Sequence, residues 1–213
     1  MIELSEITVR LGMNEQNGLY WTEKNGWSKG LPARIAWLLK DKLKPDAFFC
    51  ICNKPIVLFY HSPTNKEELF KAIWNFNESP VVIINEPNTV EIFNGLSYLS
   101  EEKTLEKLED GSSLDSFSYF ELVTGKTWQN YHKKLTYQNR VDYKLLENIK
   151  AARDSLVSEH HIDSPLSNAL IGKCIFIRYL IDRDVCLKFD GILRKLSNNE
   201  FCDLLGDKKR TIR

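Results

Sequence analysis

The most constraining feature of the sequence is a change of hydrophobic period in its first third. Residues 31–43 carry apolar side chains at helical spacing, Pro32 suits the first turn of a helix, and Pro45 ends it. Two continuous apolar runs then follow, Ala47–Cys52 and Ile56–Tyr60, and a short polar turn separates them. Short apolar runs of this kind indicate a β-hairpin that is buried on at least one face.

The segments after this hairpin continue the alternation of helix and strand. Asn65 predicts the start of a helix, because acidic residues occupy the turn that follows it. Pro80–Asn85 and Thr89–Phe93 predict two further strands, the second closed by Asn94-Gly95. The order helix, strand, strand, helix, strand, strand favours a mixed sheet flanked by helices, and therefore an α/β (α+β) domain over residues 1–97.

The remaining parts of the chain have weaker patterns. Ile2–Leu11 alternates loosely, which predicts a strand. Residues 98–126 hold an excess of acidic residues and predict a connector, with a short solvated helix over Glu101–Leu108. Residues 127–213 show helical spacing and predict an all-α domain. Its helix that begins at Asp163-Ser164-Pro165 has a wide apolar face, which predicts that this helix is buried.

Charge and composition exclude several classes of protein. Twenty-nine basic residues balance 29 acidic residues, so any DNA contact has to come from a local patch. The five cysteines and four histidines show no zinc-binding spacing. The sequence has neither an apolar run of transmembrane length nor a signal-peptide pattern, so we expect a cytoplasmic protein without a membrane partner.

The motif Lys44-Pro45-Asp46 and its hairpin resemble the PD-(D/E)xK nuclease core of restriction enzymes. In that family two carboxylates hold Mg²⁺ and a lysine helps to activate the attacking water. Alignment on the hairpin places Tyr60, His61 and Ser62 at the ExK positions, so the second carboxylate and the lysine are both missing. The resemblance therefore implies a degenerate, inactive nuclease fold. The residues alone also permit a simple turn before a strand.

A second set of segments resembles large bacterial adenine-specific DNA methyltransferases. Its members lie in the order and at the spacing found between the nuclease-like and catalytic domains of fused restriction-methyltransferases and type I modification subunits. They are Phe117–Trp128, Arg140–Leu156, Ala169–Arg183 and Phe201–Lys209. The resemblance implies a part in S-adenosylmethionine-dependent DNA methylation within a restriction-modification or phage-defence system. Its implied partners are DNA and a methyltransferase catalytic domain or subunit.

The catalytic motifs of that family are missing from this sequence. It contains no GxG, and none of its seven prolines are adjacent. It therefore lacks the Gly-rich loop that approaches S-adenosylmethionine and the (N/D)PP(Y/F) motif that holds a flipped adenine. The resemblance implies no cofactor on this chain, which we expect to position DNA or to dock on the catalytic domain. Its end suggests a fragment, either truncated or encoded by a split or interrupted gene.

Two other functions remain open from the residues. A stand-alone protein- or DNA-binding module would act without a catalytic domain. A cryptic Mg²⁺-dependent nuclease would combine Asp46 with a migrated carboxylate, for which the candidates are Glu67, Glu68 and Glu91. Residues 126–156 hold seven basic residues against three acidic ones. The candidates for DNA contact in that segment are Lys133, Lys134, Arg140 and Lys144.

The coding sequence downstream of codon 213 separates these interpretations. If the chain is the front of a methyltransferase, we expect that DNA to encode, in any frame, a Gly-rich loop and an NPPY-type motif. Sequencing the source genome across this region checks the expectation. A downstream region without either motif would favour the binding module or the cryptic nuclease.

Overall fold

A computed structural model describes residues 3–24, 26–182, 185–189 and 192–206 of the chain. Its contacts divide the chain into two units, Met1–Leu145 and Leu146–Arg213. This division differs from the predicted boundaries at residues 97 and 126. The reason is that much of the predicted acidic connector pairs with, or packs against, the sheet of the first unit.

The first unit is built on one six-stranded mixed sheet. Its strands follow the order of the sequence, and only β3 and β4 are parallel. Helix α3 (Lys66–Phe76) makes the crossover that a parallel pair requires. A mixed sheet with helices agrees with the predicted α/β class, whereas the restriction-endonuclease-like assignment stays a prediction. The strands are β1 (Leu19–Trp21), β2 (Ala47–Ile51), β3 (Lys54–His61), β4 (Val81–Asn85), β5 (Val90–Leu99) and β6 (Thr104–Asp110).

Both faces of this sheet are covered. Alternate side chains of β3 enter different cores, so Val57 and Phe59 lie on one face and Leu58 and Tyr60 on the other. The first face packs against α1 (Leu4–Arg10) and residues that follow β6, including α4 (Tyr119–Val123) and α5 (Lys126–Asn130). The second face packs against α3 and the helix that precedes β2. Burial on both faces explains why these strands are continuous apolar runs.

The helix before the hairpin is present where the sequence predicts it. It starts as α2 (Ala33–Trp37) and continues as a π-helical turn, Leu38–Leu43. The predicted hairpin β2–β3 is also present, with its turn at Cys52 and Asn53, one residue earlier than predicted. Both turn residues have positive φ, which suits the twist of a tight hairpin. The predicted cap of α3 is confirmed, since the Asn65 side chain accepts a hydrogen bond from the Glu68 N–H.

Two local predictions are wrong. The segment Ile2–Leu11 contains helix α1 instead of a strand, because its buried residues Leu4, Ile7 and Leu11 follow helical spacing. The segment Glu101–Leu108 does not form a helix and contributes most of strand β6. Leu105 and Leu108 are three residues apart, as on a helix, but on a strand this spacing directs them to opposite faces, and each joins a different core of the sheet.

The Asn94-Gly95 pair does not end a strand as predicted, because β5 runs through it to Leu99. A Cβ atom at Gly95 would lie 2.1 Å from the Ser79 carbonyl oxygen, so a close approach between backbones requires glycine here. The buried Asn94 side chain donates to the Lys134 carbonyl oxygen at 2.8 Å. The pair therefore marks a bulge in the strand.

The second unit contains three helices and a small hairpin. Its main helix, α7 (Ser164–Asp182), begins at the predicted position with Pro165 in the first turn. The prediction of an all-α domain is wrong, since β7 and β8 pair in antiparallel fashion. The other elements are α6 (Val141–Ser158), whose first residues belong to the first unit, β7 (Leu187–Phe189), β8 (Ile192–Arg194) and α8 (Asn198–Gly206).

The helices of the described part of the chain include none that is both long and apolar enough to cross a membrane. Helix α7 is the most apolar of the long helices, yet it still carries Lys173 and Arg178 along its length.

The close approach at Gly95 generates a stability prediction. We expect Gly95→Ala to lower the free energy of unfolding by about 2–3 kcal/mol, because the added methyl group must displace the backbone of Ser79, just before β4. All five tryptophans lie in the first unit, so urea unfolding followed by tryptophan fluorescence reports on it. Gly30→Ala is the matched control, since its Cβ would have no neighbour closer than 3.9 Å. Equal losses in both variants would contradict the close approach.

Candidate functional site

The hairpin brings Asp46 against the end of β3. The Asp46 N–H donates to the Phe59 carbonyl oxygen at 3.0 Å, which continues the strand pairing to this residue. The His61 N–H donates to Asp46 Oδ2 at 2.7 Å. Asp46 is therefore close to the positions that the sequence aligned with the second nuclease motif. One of its carboxylate oxygens already stabilises the main chain there.

His61 and Ser62 are tied to the neighbouring strand β4. His61 pairs with Asn85 in the parallel register, and the Asn85 Nδ2 lies 3.3 Å from His61 Nδ1. If this amide donates, the imidazole carries its proton on Nε2. The Ser62 N–H donates to the Asn85 carbonyl oxygen at 3.0 Å, with Ser62 held at a φ of 41°. Both residues thus fasten the carboxyl ends of two strands together.

Tyr60 occupies the position of the missing second carboxylate. Its side chain is buried, and its hydroxyl donates to the Leu43 carbonyl oxygen at 3.2 Å. Burial, and then the nearby negative charge of Asp46, raise the pKa of Tyr60. The phenol therefore stays protonated at neutral pH and links the hairpin to the π-helical turn. It does not replace an anionic metal ligand.

These residues do not fit a catalytic Mg²⁺ ion. Such an ion needs several hard oxygen ligands, and the hairpin supplies one exposed carboxylate that is already hydrogen-bonded. No group of three or more His, Cys, Asp or Glu side chains in the described ranges is arranged to hold a metal. Asp46 and His61 open into a cleft of about 290 Å³, whose other lining residues are Leu4, Trp21, Thr22, Glu23 and Pro45.

Two of the three carboxylates proposed for a migrated nuclease site are held by lysines. Glu67 pairs with Lys71 at 2.8 Å and with Lys103 at 3.5 Å. Glu91 accepts from Lys107 at 3.0 Å and is also close to Lys66. Although burial opposes ionisation, the hydrogen bond from Lys107 and the charges of both lysines lower the pKa of Glu91. Each of these acids is therefore already neutralised within the fold.

The third carboxylate of the migrated site, Glu68, faces a different cleft. That cleft of about 370 Å³ is lined by Tyr60, Glu68 and the residues around the start of α3, and Asp46 is not among its lining residues. The Asn65 side chain caps α3 by accepting a hydrogen bond from the Glu68 N–H, so Glu68 belongs to the first turn of the helix. Asp46 and Glu68 thus line different clefts.

The parallel strands β3 and β4 also offer no cradle for S-adenosylmethionine. A nucleotide-like cofactor in an α/β fold sits where a parallel strand leads into a helix, and glycines let the backbone approach it there. The residues between β3 and α3 are Ser62, Pro63, Thr64 and Asn65. None of them is glycine, so this segment does not fit the cofactor that the methyltransferase resemblance implies for the whole family.

Two of the four basic residues predicted to contact DNA have structural partners. The Lys134 ammonium donates to the carbonyl oxygens of Lys107 and Leu108, at 3.1 and 3.3 Å, so it covers part of the edge strand β6. Arg140 pairs with Asp142 at 3.2 Å. These contacts give both side chains a structural role that does not require DNA.

The other two predicted DNA contacts, Lys133 and Lys144, are exposed. Neither forms an ion pair within the described part of the chain. The segment 126–156 therefore presents fewer available positive charges than its sequence indicates. Its acidic residues reduce the remaining charge further, since Glu147 and Asp154 are exposed in α6.

The largest departure from expectation is the surface of α7, whose predicted burial is wrong. Only Ser167 and Ile181 are buried among its described side chains. Five large apolar side chains that should lie in a core are exposed instead: Leu166 (59%), Leu170 (41%), Ile175 (46%), Phe176 (59%) and Tyr179 (51%). At 3.6 residues per turn, Ile175, Phe176 and Tyr179 share one side of the helix, which we call the α7 face, and Leu166 and Leu170 lie on another side. Apolar surface of this extent commonly marks a site of protein association.

Comparison of this chain with protein-family models, curated proteins and solved structures finds no match. The restriction-endonuclease-like fold and the relation to DNA methyltransferases therefore stay predictions from the sequence. The fold itself adds three observations. The Asp46 carboxylate at the end of the hairpin is already hydrogen-bonded, and two of the four basic residues predicted to contact DNA have partners within the fold. The α7 face is exposed.

The pairing of Glu91 generates a prediction for the pH dependence of stability. A carboxylate whose folded-state pKa is lowered contributes stability above its ordinary pKa of 4.5, and this contribution is lost as the pH falls through the folded-state value. We expect Glu91→Gln to lower the free energy of unfolding by about 1 kcal/mol at neutral pH. The difference in unfolding free energy between this variant and the wild type should disappear at acidic pH.

Urea unfolding at a series of pH values measures this difference. The matched control is Glu102→Gln, which removes an exposed carboxylate that has no ion pair among the described residues. We expect the control to leave stability unchanged at every pH. A Glu91→Gln effect that persists unchanged in acid would show that packing, and not charge, accounts for it.

Proposed function

We propose that this chain is a non-catalytic part of an adenine-specific, S-adenosylmethionine-dependent DNA methylation system of the restriction-modification or phage-defence kind. Its second unit docks on the methyltransferase catalytic domain or subunit through the α7 face. The methyl transfer takes place in that partner, which supplies the Gly-rich loop and the (N/D)PP(Y/F) motif. The chain contributes binding and placement.

The end of the hairpin supports a role without catalysis. Asp46 accepts from the His61 N–H, and Tyr60 donates to Leu43. Asn85 holds His61 and Ser62 from the next strand. Polar groups that a nuclease would keep free for metal and water are used here to fasten strand ends. A nuclease-like domain that has lost its ligands can still serve as a rigid scaffold for a binding unit.

The single observation that carries the proposal is the exposure of the α7 face. A helix with apolar residues on all sides is normally buried, because exposed apolar surface is unfavourable in water. Phe176 and Tyr179 are aromatic, and large aromatic side chains commonly dominate protein interfaces. At 59% exposure, Phe176 presents most of its ring to a partner. A protein surface explains this pattern better than DNA, whose backbone selects for positive charge.

A binding experiment with matched variants tests the docking. The methyltransferase catalytic domain or subunit encoded beside this gene is purified separately and titrated with the chain by calorimetry. We expect Phe176→Asp to weaken binding roughly tenfold or more, because it places a charge within an apolar interface. Asn168→Asp adds the same charge at an exposed polar position of the same helix and should bind as wild type.

Two further measurements accompany that titration. The complex should transfer labelled methyl groups from S-adenosylmethionine to adenine in DNA, whereas the chain alone should not. Sedimentation equilibrium of the chain alone should give a monomer, since self-association through α7 would mean that a second copy covers the face. Equal binding by the wild type and Phe176→Asp, or a self-associated chain, would contradict the docking proposal.

A further inference from the structure

A second basic segment lies outside the region that the sequence pattern favoured. Residues 27–45 contain five basic residues against a single acid, Asp41, in a chain whose total net charge is zero. The five are Lys29, Arg34, Lys40, Lys42 and Lys44, and all of them are exposed. The local excess of four positive charges is spread over 19 residues here, whereas the segment 126–156 spreads the same excess over 31.

The structure leaves most of these charges available. Lys29, Lys40 and Lys44 form no ion pair within the described ranges. Arg34 approaches Glu78 at 3.6 Å, and the two side chains remain partly exposed. In the segment after β6, by contrast, Lys134 and Arg140 are engaged. Lys133, Lys144 and Lys150 of that segment form no ion pair in the described part of the chain, so the two segments offer three unpaired lysines each. Residues 27–45 place theirs within a shorter stretch of chain.

An exposed aromatic ring lies among these charges. Trp37 is 52% exposed at the end of α2, and the Lys42 ammonium lies 5.7 Å from its ring centroid. The π-helical turn Leu38–Leu43 follows directly, and turns of this kind are rare and occur frequently at functional sites. The buried residues Ile35, Leu39 and Leu43 hold the other side of this helix on the sheet. The charged side is thus presented on a rigid support.

We infer that the surface formed by Lys29, Arg34, Trp37, Lys40, Lys42 and Lys44, here called the α2 surface, binds the phosphate backbone of double-stranded DNA. Lysines act on phosphates as point charges and release bound counterions, so such binding is strong at low salt and independent of sequence. One face of Trp37 is occupied by Lys42, which favours backbone contact over stacking on unpaired bases.

The acids near this surface limit where the DNA can lie. Glu68 lines the same cleft as Lys42 and Lys44, and Asp46 is two residues beyond Lys44. Negative charges at these places would repel phosphates. The DNA backbone is therefore expected on the outer side of α2, where it reaches Lys29, Lys40 and Lys44 without entering the cleft at the start of α3.

Salt-dependent DNA binding provides the test. The full chain is titrated onto a labelled duplex of random sequence, and fluorescence anisotropy gives Kd at two salt concentrations. With the three unpaired lysines each neutralising one phosphate, Kd should rise about 40-fold between about 50 and about 200 mM salt. For Lys40→Gln/Lys44→Gln, which leaves one such contact, the rise should be about 3- to 4-fold. A single strand of the same sequence should bind more weakly than the duplex.

Two matched double variants make the result specific. Lys40→Arg/Lys44→Arg keeps the charge and should retain the salt dependence of the wild type. Lys133→Gln/Lys144→Gln removes two exposed lysines from the segment that the sequence pattern favoured and should also behave as wild type. Circular dichroism confirms that each variant is folded.

Three results would overturn the inference. They are salt-independent or undetectable binding, an equal loss in both Gln double variants, and a larger loss in Lys133→Gln/Lys144→Gln. The inference does not depend on the docking of α7, because its residues belong to the first unit. Phe176→Asp should leave DNA binding unchanged, so a failure of either proposal is distinguishable from a failure of the other.

Discussion

Burial of the sheet on both faces is the constraint on which the first unit depends. Phe48, Phe49, Leu58 and Phe59 of the hairpin are fully buried, and each such side chain contributes about 1.5–3 kcal/mol when it leaves water. The two hairpin strands, which are covered on both sides, carry mostly apolar side chains along their length. The polar residues Asp46 and His61 lie at the open end of the hairpin.

The position of these polar residues at the strand ends determines which groups they bind. At a strand end the main chain runs out of pairing partners, and a side chain must satisfy its free N–H groups. Asp46 does this for His61, and the Tyr60 hydroxyl reaches the carbonyl oxygen of Leu43. An active site needs the same side chains to remain free for metal and water. The hydrogen bond takes one oxygen of Asp46, and Tyr60, His61 and Ser62 supply no further carboxylate at the aligned positions, so these residues do not fit a catalytic metal ion.

The parts of the fold that sequence predicts are those set by local pattern. The hairpin, the Asn65 cap and the start of α7 at Ser164 each depend on a few neighbouring residues. Strand β6 could not be predicted, because Leu105 and Leu108 repeat at helical spacing, and both are buried only because the sheet is covered on its two faces. The hairpin pattern alone places Asp46 near residues 60 and 61. It does not predict that the Asp46 carboxylate accepts a hydrogen bond from the His61 N–H, because the two residues are 15 positions apart in the chain. The hydrogen bond from the Lys134 ammonium to the Lys107 carbonyl oxygen at the sheet edge likewise joins residues that are distant in the chain.

The misjudged burial of α7 has a different physical origin. An apolar face predicts that a helix prefers to be covered, but it does not say whether the cover lies in the same chain. In the first unit both faces of the sheet are covered by other elements, and exposed apolar side chains such as Val9, Trp37 and Phe120 lie outside those two cores. In the second unit, Phe176 and Leu166 remain 59% exposed on a helix of 19 residues, and few described side chains of this helix are buried. The first unit therefore has a large internal core, whereas α7 leaves most of its apolar residues uncovered. For this reason we propose a protein partner for α7 and DNA for the basic surface of the first unit.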